Sequence, residues 1–84
     1  MPERDLTFDN EVGLHARPAA LFVKKAGEFD ATITLHKAET EADARSLLAV
    51  LKLDVRRGDH VRVTAEGDDA EAALDALTEL TGQL

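Results

Sequence analysis

The 84 residues include no cysteine, no tryptophan and no tyrosine. Without cysteine there is no disulfide to staple the fold and no thiolate to hold zinc. The 3 phenylalanines are the sole aromatics, so there is no platform on which bases would stack. Positive charge is also scarce: 10 Lys and Arg stand against 17 Asp and Glu, a net charge of −7. Nucleic acid needs a basic face and is excluded as a partner on this balance. The same balance predicts partners that present basic or apolar surfaces. No long apolar run is present, and the first residues, Met1-Pro2-Glu3-Arg4-Asp5, are charged. Neither a signal peptide nor a membrane span is therefore expected, and the expected location is cytoplasmic.

What is there suits an ordinary folded unit, with 44% apolar and 32% charged residues. No linker, repeat or low-complexity stretch interrupts the chain, so residues 1–84 are expected to form one domain. A chain of this size buries roughly 60–65% of its unfolded surface. That leaves little room for a deep cavity beside the core. Any chemistry is expected on the surface, with a partner supplying the rest of the site.

Arg4 to Phe8 alternates and predicts a strand burying Leu6 and Phe8. Asn10 to His15 reads as a loop containing Gly13. A helix follows, with Pro18 in its first turn, an apolar stripe of Ala19, Phe22, Val23 and Ala26, and Gly27 as its terminator. Ala31 to His36 alternates again and predicts a strand. The polar stretch from Lys37 to Arg45 admits a short strand or irregular hairpin. Ser46 suits an N-cap, ahead of a short helix over Leu47 to Leu53, with Arg56 and Arg57 favouring its negative end. Gly58-Asp59 reads as a turn. His60 to Ala65 predicts a strand with Val61, Val63 and Ala65 inward. Asp68-Asp69-Ala70-Glu71 resembles a capping box, opening a helix that buries Ala70, Ala73, Leu74, Leu77 and Leu80. The order β-α-β-(β)-α-β-α predicts an α+β fold with one sheet covered on one side by helices.

Gly13-Leu14-His15-Ala16-Arg17-Pro18-Ala19 is the informative stretch. It stands an imidazole immediately before a helix N-terminus. The first-turn amides, those of Ala16 and Arg17, have no intrahelical partner, and the dipole adds partial positive charge. A phosphate there meets ready-made donors. Arg17 adds a fixed charge and a forked donor. These parts suit histidine phosphorylation, and they include no general-base partner and no substrate pocket. A lone His near a helix start is more often structural; the company of Gly13, Arg17 and Pro18 favours function. His36 and His60 read as solvent-facing strand residues. The 3 histidines make no metal spacing, so neither a metal nor a cofactor is expected.

The stretch around His15 resembles the phosphohistidine signature of HPr, the histidine-containing phosphocarrier family of the phosphoenolpyruvate-dependent sugar phosphotransferase system. Arg45-Ser46-Leu47-Leu48-Ala49-Val50-Leu51 is similar to that family's second segment. The resemblance covers nearly the whole chain. It implies an open-faced β-sandwich, with a four-stranded antiparallel sheet and three helices on one face. It implies a carrier rather than an enzyme, phosphorylated by enzyme I on the Nδ1 of His15, with Arg17 stabilising the phosphate. Transfer to IIA proteins or domains follows. Departures stand in the hairpin Lys37-Ala38-Glu39-Thr40-Glu41, where the family usually carries a Gly, at Asp54, where many members have Gly, and at Leu21, where some relatives are polar.

The Leu47 to Leu53 helix is apolar nearly all round. A sheet covered on one side cannot bury it entirely. Val50 and Leu53 are expected inside, with Leu47, Leu48 and Leu51 partly exposed; a wholly packed helix is the competing expectation. In the HPr-like reading the exposed leucines dock against enzyme I and IIA, and Leu21 and Lys24 extend the surface. Ser46 matches the position at which some HPr proteins are phosphorylated by a dedicated kinase, which makes it a candidate regulatory site served by a kinase and phosphatase. A monomer is expected. Two alternatives remain. A regulatory paralogue in nitrogen or metabolic control would carry the same residues, whereas a plain interaction module would need neither His15 nor Arg17.

Overall fold

The structure is a computed structural model that describes residues 2–10 and 13–84. The loop expected over Asn10 to His15 includes positions 11 and 12, which lie outside the described residues. Strands β1 (Glu3–Thr7), β2 (Thr32–Lys37), β3 (Thr40–Asp43) and β4 (His60–Glu66) alternate with helices α1 (Ala16–Ala26), α2 (Leu47–Lys52) and α3 (Ala70–Gln83). The strands form one antiparallel sheet in the order β1-β4-β2-β3. The polar stretch after β2 therefore does supply a strand.

Alternation decides which face is covered. Leu6 lies opposite Val61, Val63 opposite Leu35, Leu35 opposite Ala42, and Ile33 opposite Ala65. All of these are buried, together with Phe22 of α1, Val50 of α2, and Leu74 and Leu77 of α3. Phe8, just beyond β1, meets Phe22 with ring centroids 6.3 Å apart and a tilt of 55°, a favoured aromatic arrangement. Leu80 is half-buried rather than fully packed. The other face of the sheet is polar and open to solvent. His60 is exposed there, while His36 is half-buried, with its Nε2 3.2 Å from Thr64 Oγ1.

Three local expectations need correction. Asp69 is the N-cap of α3 but makes no side-chain cap. Its carboxylate instead takes the amides of Asp30 and Ala31, each at 2.8 Å, and so ties the start of β2 to the start of α3. Gly67 allows this approach, because a Cβ there would come within 2.9 Å of Ala31 Cα. The negative end of α2 is met by Lys37 of β2, which donates to the carbonyls of Leu53 and Asp54. Arg56 turns to Asp54 instead, at 2.8 Å. Gly27 ends α1, but with φ −68, so its left-handed freedom is not what terminates the helix.

The positions of the unusual Ala38 and Asp54 both have φ +54. The turns thus keep a backbone that glycine adopts freely and an L-residue adopts at a cost of about 1–2 kcal/mol. Asp tolerates this region better than Ala. Ala38→Gly should therefore stabilise the chain by about 0.5 kcal/mol after the extra flexibility of the unfolded glycine is discounted. Its Tm should rise by about 2–4 °C. A calorimetric Tm at or below the parent value would show that the hairpin holds Ala38 without strain.

Candidate functional site

His15 is the N-cap of α1, extended at φ −93 and ψ −168, and its side chain makes no cap bond. The backbone is pinned on both sides of it. Leu14 is buried and donates its N–H to the Val55 carbonyl at 2.9 Å, while the His15 carbonyl accepts the Ala19 N–H at 2.9 Å. The imidazole is exposed. Next to it stand the amides of Ala16 and Arg17, which have no acceptor among the described residues. Pro18, third in the helix, has no amide to satisfy. Arg17 is exposed and forms no ion pair among the described residues.

Gly13 makes this placement possible. Its φ is +66, and a Cβ would lie 2.3 Å from the Val55 carbonyl oxygen and 2.7 Å from Arg56 Cα. Only glycine brings the loop this close to the segment after α2. Asn10 fastens the loop from the other side, donating from Nδ2 to the Gly13 carbonyl at 2.8 Å. Charged pairs line the floor under Gly13. Arg56 keeps the Asp54 carboxyl below its ordinary range. The Asp59 carboxyl is held low first by the Arg56 backbone amide and then by Lys37. These floor residues are absent from the sequence reading of the site. The signal for Lys37 was present in its place on the inward register of β2.

The expected neighbours of His15 lie on α1 and α2, which pack against each other. Arg17, Leu21 and Lys24 form one exposed stripe along α1. On α2, Leu48 is 64% and Leu47 40% exposed, Leu51 is half-buried, and Val50 and Leu53 are inside. A wholly packed α2 is ruled out. Ser46 caps α2, its Oγ accepting the Ala49 N–H at 3.2 Å.

The expectation of basic partner surfaces is corrected by where the charges fall. α1 and α2 carry Arg17, Lys24, Lys25 and Lys52 and no acidic residue. The net charge of −7 comes from the rest of the molecule, and the surface of α1 and α2 is apolar and cationic.

The larger concavities lie elsewhere. One of about 370 Å³ runs between the β1 edge and the end of α3, and one of about 310 Å³ lies on the open sheet face; neither is lined by His15. Among the described residues no group of three His, Asp or Glu is placed to hold a metal ion, and no helix is long and apolar enough to cross a membrane. An exposed nucleophilic ring beside free amides can receive and release an anionic group, but it encloses no second substrate.

Comparison with known proteins agrees with this chemistry. A family model described as "PTS HPr component phosphorylation site" matches residues 2–83. The phosphocarrier protein HPr of Haloferax volcanii is 51% identical over 80 residues, covering 93% of this chain and 90% of that protein. The phosphocarrier protein NPr of Shewanella violacea is 44% identical over 78 residues, covering 93% and 86%. The crystal structure of HPr-C-His from Thermoanaerobacter tengcongensis superposes with a TM-score of 0.96 at 41% identity, covering 99% of this chain and 93% of that one. The chain belongs to the HPr family, the phosphocarrier proteins of the phosphotransferase system.

Proposed function

We propose that the chain, as one domain over residues 1–84, accepts a phosphoryl group on His15 from phospho-enzyme I and passes it to IIA proteins or domains for sugar uptake. The observation that carries this is the uncommitted, exposed His15 ring at the start of α1, beside the unpaired amides of Ala16 and Arg17. The Nδ1 lone pair attacks phosphorus, the bond to the donor breaks, and its electron pair stays with the donor. The Ala16 and Arg17 amides and the Arg17 guanidinium hold the phosphoryl oxygens. The reverse step, with a IIA nucleophile, returns the electron pair to His15. No part of this needs a metal or cofactor in the carrier, which acts as a substrate of enzyme I rather than as an enzyme.

Leu21, Lys24, Leu47, Leu48 and Leu51 form the docking surface. Apolar side chains ringed by cations fit a partner with an apolar patch edged by carboxylates. Ser46 lies at the rim, and a phosphate there would add about −1.5 to −2 charges beside Leu47 and Leu48. It would meet free helix-start amides without harm to the fold and would repel an acidic partner. That makes Ser46 a regulatory site for a kinase and phosphatase. In this reading the carrier works as a cytoplasmic monomer. The regulatory alternative is favoured by one observation, the 44% identity to a relative named NPr; identifying the IIA partner decides between the two.

His15→Ala should abolish acid-labile, base-stable labelling by enzyme I and labelled phosphoenolpyruvate. Label persisting on that variant would move the phosphoryl group to another residue.

Leu48→Asp should lower kcat/KM with enzyme I by about tenfold or more, because a carboxylate at the docking patch is desolvated without a partner. Its unfolding free energy should change by less than about 1 kcal/mol, as at other exposed positions. Unfolding of the variant with normal transfer by its folded fraction would assign Leu48 to the core.

A further inference from the structure

Lys37 is the last residue of β2 and stands on the same side of the strand as the buried Ile33 and Leu35. A cation on the core-facing register needs acceptors. Three are in place. The Nζ donates to the carbonyls of Leu53, at 3.2 Å, and of Asp54, and pairs with Asp59 Oδ2 at 3.0 Å. The side chain is only 26% exposed. The same Asp59 oxygen accepts the Arg56 N–H at 2.8 Å, and the Asp59 N–H donates to the Arg56 carbonyl at 2.9 Å. Arg56 is therefore gripped through both of its peptide groups. It is also the residue over which Gly13 lies, and Val55 beside it takes the Leu14 N–H. A short chain of contacts leads from the Lys37 ammonium to the residue preceding His15.

We infer that Lys37, acting with Asp59, is a positioning residue for phosphoryl acceptance: it holds the 53–59 segment as the rigid floor on which the His15 loop rests. The inference builds on the assignment of His15 made above. The segment has two anchorages. At its far end the Gly58 N–H donates to the Phe8 carbonyl at 2.7 Å, and the Phe8 N–H donates to the Asp59 carbonyl at 3.2 Å. At its near end the chain passes through Asp54 at φ +54, a conformation that an L-residue leaves readily when nothing holds it. The Asp54 N–H donates to the Leu51 carbonyl at 3.1 Å and Leu53 and Val55 on either side are buried; the Lys37 bond is the side-chain contact that fixes the Asp54 carbonyl. The Arg56–Asp54 pair is exposed and adds little. Loss of Lys37 frees the near end while β1 keeps the far end. The outcome is a loosened floor rather than an unfolded chain. The His15 ring then spends less time aligned with the Ala16 and Arg17 amides, and alignment governs the rate of a transfer that has no other catalytic group in the carrier. A lysine that only caps α2 would alter stability and leave the aligned step alone.

The test uses the full chain with enzyme I and phosphoenolpyruvate, below the unfolding range of every variant. Lys37→Met keeps the aliphatic stem and removes the three donors. Its kcat should fall by about tenfold, the scale expected for a small misplacement of reacting groups, while KM stays within about twofold because Leu47 and Leu48 are untouched. The Leu14 amide should exchange with solvent at least about tenfold faster relative to the Val63 amide at the sheet centre. Lys37→Arg should recover part of both. Leu77→Ala, a core control remote from this segment, should lower Tm while leaving kcat and the exchange ratio unchanged. Parent values of kcat and of the exchange ratio in Lys37→Met would overturn the inference. So would an equal fall of kcat in Leu77→Ala. If His15→Ala still accepts label, the histidine assignment fails separately, and the Leu14 exchange ratio still judges the clamp.

Discussion

Val63, Leu35 and Ala42 lie side by side across three strands, on a sheet face that no second sheet shields. Its burial has to come from helices, and three are available. The 11-residue α1 and the 14-residue α3 are about 16 and 21 Å long at 1.5 Å per residue. They span the sheet and each has one stripe to hide. The six residues of α2 make about 9 Å, enough to cover a corner with Val50 and Leu53. The remaining leucines have no sheet left to cover. Exposure of Leu47 and Leu48 is thus a consequence of covering one face with too little helix. The Leu14–Val55 bond then ties the start of α1 to the segment after α2, which puts the apolar patch and His15 on neighbouring ground.

The elements with a single unambiguous period were legible in the sequence. β4 alternates polar and apolar residues in sequence, and α3 carries one stripe. The geometry around His15 was legible for a different reason: Gly13, His15, Arg17 and Pro18 each fill a local role at a helix start, so neighbours in sequence suffice. Asp69 was misjudged and Lys37 passed over because their partners are distant. Asp69 bonds amides 38 and 39 positions away, and Lys37 reaches carbonyls 16 and 17 positions away. Helix-end rules assign a charge to the nearest terminus along the chain. In the folded molecule a side chain goes to the nearest orphaned peptide group in space. The inward register of Lys37 was visible in Ile33-Thr34-Leu35-His36-Lys37, but which acceptors it would meet depended on where α2 ended.

The partner surface was misjudged for a related reason. Net charge is a sum over the whole surface, and a docking partner feels only the part within reach. The molecule is 20 Å across even at its narrowest, more than twice the Debye length of about 8 Å at physiological salt. Carboxylates such as Asp5 and Glu41 lie on the open sheet face, whereas the charges on α1 and α2 are Arg17, Lys24, Lys25 and Lys52.

Screening also lets a strongly acidic chain accept a further anion. Under the proposed function a phosphoryl group on His15 would meet the fixed amides of Ala16 and Arg17 and the Arg17 guanidinium. Those amides cannot move away or change protonation state, so the site costs no reorganisation when the group arrives or leaves. An exposed site also holds its charge in high dielectric, where attraction at 4 Å is about 1 kcal/mol per unit charge pair rather than several. The phosphoryl group is therefore held in place without being held tightly. Both a donor and an acceptor can close over the same exposed ring, exclude water from it, and strengthen those contacts only for the duration of transfer.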